Sequence, residues 1–379
     1  MKIGILTLPL HTNYGGILQA YALQTVLERM GHNVVVFDKS KKRKYTQIEK
    51  ALYFVHNLLS AIIHRKRCGQ LLLSKIAEKE YSAYLIKARY TSEFVDEHIH
   101  RYEYQRLNDD IIKKKYDAII VGSDQVWRPL YYGNHIEEAF LSFTKGWKIK
   151  RVAYAPSFRS VNWEYKENKT ALCKELIAKF DAVSCREQSG VILCEKYLGR
   201  EAKLVLDPTL LMDKDDYLSL TNEKKLFTTK TLVTYVIDSS EVKESIIKSI
   251  SDSTGMLVHR TNSKAEDINT VCSIEEKIQP PVEDWLMSFS QAEMIVTDSF
   301  HACAFSIIFN KPFWVLGNPQ RGMARFHSLL QQFGLESRLV NPEPNTCIDW
   351  NTPVNWSMVN KHREELKVHS LKFLVNALR

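Results

Sequence analysis

From its first residue the chain alternates short apolar runs with stretches in which apolar positions recur every three or four residues. Ile3 to Leu8 reads as a buried strand. After the loop His11-Thr12-Asn13-Tyr14-Gly15-Gly16, the residues Ile17, Ala20, Leu23, Leu27 and Met30 mark one face of a helix that Gly31 stops. Val34 to Asp38 reads as the second strand. The rhythm returns with Tyr116 to Val121 and Arg151 to Ala155, each emptying into a loop of small and polar residues. A helix near Thr170 to Phe180, a strand from Ala182 to Arg186 and a helix from Glu187 to Leu198 follow. Strands apolar on both faces and separated by helices predict a parallel sheet covered on both sides.

Two interruptions organise the chain. Residues 39 to 115 read as a helical insertion: a basic run, an apolar segment from Ala51 to Ile63 with His56, Asn57 and Ser60 on one side, then polar helical sequence. Around Leu206-Asp207-Pro208-Thr209 the chain turns into a polar stretch that ends near Lys230, the best candidate for a domain boundary. A second series then runs through Leu232 to Ile237, Met256 to His259, Met294 to Asp298 and Phe313 to Leu316, and Met358 to Leu378 closes the chain as an amphipathic helix. The expectation is an α/β protein of two Rossmann-like domains, 1–206 with its insertion and 207–355, followed by a terminal helix over 356–379. A length of 379 residues fits that count.

Charge changes the picture in one place. The chain carries 52 Lys and Arg against 44 Asp and Glu, a net +8. Between Lys39 and Arg67 lie nine basic residues and one acid, Glu49, so the rest of the chain balances. A basic face recurring along the fold, which phosphate tracking requires, is therefore missing, and nucleic acid is not expected as a partner. The seven cysteines are scattered and form no C-x-x-C pair, which points to a reducing, cytoplasmic setting and away from a structural metal site. The apolar start is followed by a helical pattern and no small-residue cleavage site, so it is read as a strand, not as a signal segment. No stretch reaches the ~20 apolar residues of a membrane span.

In parallel sheets ligands bind beyond the carboxyl ends of strands, which gives weight to the clusters that follow each strand. Asn13-Tyr14-Gly15-Gly16 places two glycines at a helix entrance, where free N–H groups favour an anion, and reads equally as a tight turn. Gly122-Ser123-Asp124-Gln125-Val126-Trp127 offers a carboxylate, an amide and an indole suited to sugar hydroxyls, or an N-capped helix start. The turn from Tyr154 to Arg159 is less specific. Arg186, at the end of an apolar strand, needs an anion, either Glu187 or another protein acid, or a ligand carboxylate or phosphate. Thr297-Asp298-Ser299-Phe300-His301 sets a histidine at a helix entrance. There it serves as a cap or core group, or as an imidazolium proton donor beside an anionic substrate. Arg321 and Arg325, four apart, can share one helix face.

Taken in this order, the clusters resemble the polysaccharide pyruvyl transferase family. The most specific pieces are Asn13-Tyr14-Gly15-Gly16-Ile17-Leu18-Gln19-Ala20, Gly122 to Trp127, Ser184-Cys185-Arg186-Glu187 and Val296 to His301. The resemblance runs from Ile3 to about Leu339. It implies two Rossmann-like domains facing each other across a cleft in the GT-B manner, with phosphoenolpyruvate as co-substrate and no cofactor. The product implied is a cyclic pyruvate ketal on two hydroxyls of a sugar, free or lipid-linked. On that reading His301 is the general acid or the proton donor on the phosphate side, and Asp124 orients or deprotonates an acceptor hydroxyl. Arg186, Ser299, Phe300, His301, Arg321 and Arg325 then line the donor side, and Asn13, Tyr14, Gly15, Gly16, Ser123, Asp124, Gln125 and Trp127 the acceptor side. The family often carries Arg-Leu-His where this chain has Ser299-Phe300-His301, so the charge expected at 299 must come from elsewhere, with Arg321 and Arg325 the candidates. The basic flanks of Ala51 to Ile63 fit either a peripheral helix on anionic lipid at the inner membrane face or a helix packed on the domain. Two rival readings are a GT-B nucleotide-sugar glycosyltransferase and a non-catalytic binding protein with a decayed donor site.

Overall fold

The computed structural model describes residues 1–42, 47–63, 73–107, 116–222, 225–263, 272–318, 322–343, 346 and 349–379. Arg321 and the basic residues Arg43, Lys44, Arg65, Lys66 and Arg67 lie outside the described residues.

Two parallel sheets carry the fold, as the alternating pattern predicts. The first holds β1 (Lys2–Leu6), β2 (Asn33–Lys39), β3 (Arg101–Tyr104), β4 (Ala118–Val121), β5 (Lys150–Ala153), β6 (Ala182–Cys185) and β7 (Lys203–Leu204) in the order β3-β2-β1-β4-β5-β6-β7. The second holds β8 (Thr231–Tyr235), β9 (Leu257–Arg260), β10 (Met294–Thr297), β11 (Phe313–Leu316) and β12 (Leu339–Val340) in the order β12-β11-β10-β8-β9. These are the two common doubly wound orders, and the direction of winding reverses between β1 and β4 in one sheet and between β8 and β10 in the other. β1 and β4 in one sheet, and β8 and β10 in the other, are therefore the strands whose carboxyl ends border a crevice. Ala-Ile-Ile-Val in β4 and Met-Ile-Val-Thr in β10 are buried along their whole length. That is what covering both faces with helices demands.

The segment over 39–115 is mostly helical, with helices Gln47–Ile63, Leu73–Lys87 and Arg89–His98. It also supplies an edge strand that the periodicity does not reveal. In β3, Arg-Tyr-Glu-Tyr, alternate residues are charged, and the strand is held beside β2 by backbone pairing and by Arg101, whose guanidinium lies 3.1 Å from the buried Asp38. A short strand with that composition looks like polar helix until its neighbour is known.

The domains meet along an aromatic seam. Tyr14, the first residue of the helix Tyr14–Arg29, stacks on Trp285 of the second domain at 5.2 Å and donates its hydroxyl to the Pro280 carbonyl at 2.8 Å. The terminal helix Trp356–Leu378 crosses back to the first domain. There Leu206 N donates to Ser370 Oγ at 3.0 Å, Phe373 packs near Tyr154, and Arg363 and Lys367 pair with Asp213.

Candidate active site at the domain interface

The clusters that follow β4, β6 and β10 converge on one buried network of charges. Arg186, one residue beyond β6, has a side chain with 0% of its surface exposed. Its two terminal nitrogens are both used: one donates to Asp207 Oδ2 at 2.7 Å and the other to Asp124 Oδ1 at 2.8 Å. The guanidinium lies 4.4 Å from the centre of the Phe300 ring, and Arg325 lies 5.7 Å from the same ring, so Phe300 separates two like charges. His301, in the first turn of the helix Phe300–Ile308, sets its Nε2 3.7 Å from Asp207 Oδ2 and 3.5 Å from Arg186. Asp124 of the first domain and Asp207, at the turn between the domains, thus face a second-domain imidazole and guanidinium.

Gly15 makes this meeting possible. A Cβ on that residue would lie 2.0 Å from His301 Nδ1, so only a glycine lets the first helix close against the imidazole.

Burial and charge compete on each acid. Burial alone would raise Asp207, but the close approach of His301, with the hydrogen bond and charge of Arg186, outweighs it and holds the carboxyl far below the usual carboxylate range. Asp124 is lowered in the same way: burial opposes, and Arg186, His301 and Arg325 prevail. Glu187 shows the opposite balance. Burial raises it despite Arg186 and a hydrogen bond from Ser157, because its Oε2 sits 3.7 Å from Arg186 Nε, beyond hydrogen-bond distance. Burial, then repulsion by Arg186, brings Arg325 down to about 10. At neutral pH Asp124 and Asp207 are anions and both arginines are cations.

Asp124, Arg186, Phe300, His301 and Arg325 are therefore brought together as the sequence suggests, with Gly15 against them. Arg186, however, is engaged by protein acids and has no surface for a donor anion. Several residues expected on the acceptor face are elsewhere. Trp127 is buried in the core, donating Nε1 to the Ala139 carbonyl at 3.0 Å and stacking on Phe140 at 4.9 Å. Ser123 is buried, with its Oγ 2.9 Å from Asp207 Oδ2 and 3.0 Å from the Ala155 carbonyl. Tyr14 belongs to the domain seam. Asn13 caps the first helix, accepting from Gly16 N at 3.2 Å, so that cluster is a helix entrance built as a tight turn. Gln125 is half-buried, and its Oε1 has no hydrogen-bond partner among the described residues. Ser299 is buried at the helix start, its N–H donating to Thr297 Oγ1 at 2.9 Å.

Two buried charges of this region escape the sequence. Asp207 sits in Leu-Asp-Pro-Thr, which reads as a linker turn, and it does cap that turn, accepting from Thr209 N and Oγ1. Only the fold shows that its other oxygen holds Arg186. Lys243 is buried against Asp298 at 2.6 Å, and Asp298 also accepts from the backbone of Ile237 and Asp238. Asp298 therefore ties the loop after β8 to the loop after β10 and stays out of the network around His301.

The family model of polysaccharide pyruvyl transferase matches residues 13–320 of the chain. No curated protein matches it. Among solved structures it is similar to UGT89C1 of Arabidopsis thaliana complexed with quercetin, at 11% identity and a TM-score of 0.49, with 99% of each chain covered. It is also similar to the UDP-GlcNAc 2-epimerase of Neisseria meningitidis bound to UDP-GlcNAc, at 10% identity and a TM-score of 0.47, covering 100% of this chain and 99% of that one. The MurG of Acinetobacter baumannii follows at 11% identity and a TM-score of 0.43, covering 99% and 98%. The fold is one of two doubly wound parallel-sheet domains.

Proposed function

The chain belongs to the polysaccharide pyruvyl transferase family, and from that premise we propose that it moves pyruvate from phosphoenolpyruvate onto two hydroxyls of a sugar in a bacterial surface polysaccharide or its lipid-linked precursor, closing a cyclic ketal. The observation that carries this reading is the meeting of His301 and Arg325 with Asp124 of the other domain and with Asp207 at the turn between them, near the two crevices that the strand orders define.

The reaction needs a proton on the methylene carbon of the enol, a hydroxyl bonded to the carbon bearing the carboxylate, and phosphate as leaving group. Closure by the second hydroxyl completes the ketal. Of the two hydroxyl protons, one is balanced by the new methyl hydrogen and the other leaves on phosphate. His301 supplies the proton to the methylene carbon, and Asp207, 3.7 Å from its Nε2, stabilises the imidazolium and fixes the ring. Arg325 supplies the cation that the family often carries at 299. It stands across Phe300 from Arg186, 5.7 Å from the centre of that ring, on the second-domain side of the network. Asp124, held as an anion by Arg186, is too weak a base to deprotonate a hydroxyl and orients it instead. His301 is almost fully buried, so the domains part at the Gly15 seam to admit the donor.

The direct test is phosphate release from phosphoenolpyruvate by purified protein, offered galactose-, glucose- and mannosamine-type acceptors in free and lipid-linked form. Acceptor-dependent release is expected. A protein that is stabilised against heat by a nucleoside diphosphate, and not by phosphoenolpyruvate, would instead be a nucleotide-sugar enzyme.

The same reading places the chain at a membrane surface. No described helix is long and apolar enough to cross a membrane. The helix Gln47–Ile63, however, leaves Ile48 72%, Leu52 65% and Val55 51% exposed on one stripe, within the segment that carries the whole basic excess. An amphipathic helix of that charge suits the interface of anionic lipid, each basic residue adding ~1 kcal/mol near the surface. In co-sedimentation, vesicles rich in phosphatidylglycerol are expected to bind the protein and phosphatidylcholine vesicles to leave it in solution. Leu52→Glu with Val55→Glu should abolish the difference. Equal behaviour with both lipids would remove the membrane from the proposal.

A further inference from the structure

Beside the buried network the interface opens into a cavity of about 460 Å³. One wall belongs to the first domain and carries Arg128, Arg159, Asn162 and Glu164. The other belongs to the second domain and consists of residues 322–324 and His327, at the start of the helix Ala324–Phe333. The walls touch at Gly322, whose φ is +83° and where a Cβ would lie 2.6 Å from the Arg159 carbonyl. Such a position accepts only glycine. Arg159 itself holds a left-handed backbone, φ 69°, in the loop after β5.

Two guanidiniums line this cavity, and that of Arg128 is incompletely used. The Arg128 side chain is 15% exposed. Its Nε is buried without a hydrogen-bond partner among the described residues, and Glu164 Oε2, 3.7 Å away, is too distant to supply one. The helix Ala324–Phe333 has no side-chain cap, so its first N–H groups add positive potential on the same side. Two guanidiniums, an imidazole and a helix start against one carboxylate make a site for a phosphate group, which takes several charge-assisted bonds at once. The volume falls in the range of small-molecule pockets, ~300–1,000 Å³, and holds a sugar ring beside the anion.

We infer that this cavity binds a phosphate group carried by the saccharide acceptor, with Arg128 and Arg159 on the phosphoryl oxygens and Asn162 and Glu164 toward the sugar hydroxyls. The inference rests on the pyruvyl-transfer reading for the identity of the acceptor as a saccharide. The phosphate is either that of a soluble sugar phosphate or that of a lipid carrier diphosphate.

Calorimetric titration tests it with galactose, galactose 1-phosphate and a galactose diphosphate carrying a short prenyl chain. Galactose 1-phosphate is expected to bind about tenfold or more tightly than galactose. Arg128→Gln and Arg159→Gln should each weaken it by about tenfold, with a smaller dependence on salt than the parent protein shows. Glu164→Gln, which removes the opposing charge at an exposed position, should tighten it. Tighter binding of the prenyl compound identifies the lipid carrier as the source, and equal binding the soluble phosphate. Equal affinity for galactose and its phosphate, or no response to any of the three substitutions, overturns the inference. If the phosphate probe binds as expected while phosphoenolpyruvate supports no turnover, the pyruvyl-transfer reading fails and the anion site stands. If turnover is seen without probe binding, the reverse holds.

Discussion

His301→Gln is expected to lower acceptor-dependent phosphate release from phosphoenolpyruvate by ~10²–10⁴-fold, the range over which a positioned general acid contributes, with little change in unfolding temperature. The side chain stands where the helix Phe300–Ile308 begins, and glutamine keeps a polar amide facing Asp207 while having no proton to give. Activity, more than fold, should therefore respond. The check is a single-turnover measurement of phosphate release for the parent and the variant, with donor binding followed separately by thermal shift. A variant that binds the donor and turns over within a few-fold of the parent would assign the proton to another group and reduce His301 to an interface residue.

Arg186→Ala should be the most destabilising single change in the network, by about 3–5 kcal/mol. The substitution strands two carboxylates, Asp124 and Asp207, in a place from which water is excluded, and both are anions in the intact protein because Arg186 helps to hold them so. Removing the acids along with the base separates this penalty from the net contribution of the network. Arg186→Met combined with Asp124→Asn and Asp207→Asn should recover much of the loss, since replacing a whole buried ion cluster costs far less than breaking it. Urea unfolding of the parent, the single and the triple variants measures both quantities. A single variant within about 1 kcal/mol of the parent would show that the carboxylates find other partners or protons.

Much of this fold is legible without coordinates because a parallel sheet buried on both faces leaves an unmistakable pattern: Ile3 to Leu6, Ala118 to Val121 and Met294 to Thr297 are apolar at every or nearly every position. The edges escape for the same reason. β3, β7 and β12 are short and border solvent, so they lack a continuous apolar run, and β3 alternates charges with tyrosines. At the site, residue types that require an unusual partner are readable. A lone arginine after a buried strand and a histidine at a helix start both signal charge chemistry. What sequence cannot supply is direction. Trp127 and Tyr14 have the chemistry of a sugar platform and are spent on packing, one in the first-domain core and one across the seam. Asp207 is the converse case, a turn residue locally and the anchor of Arg186 in the folded chain.

The return of the helix Trp356–Leu378 to the first domain bears on how this architecture can be recombined. Its contacts with Leu206, Met212, Asp213 and Tyr154 make the far end of the chain part of the half that begins it. The exchangeable module on the His301 side is therefore an internal block, grafted by two cuts. A chimaera joined at a single point near residue 207 would pair the helix of one parent with the seat of another, and would owe its failure to that mismatch rather than to any incompatibility of the chemistry.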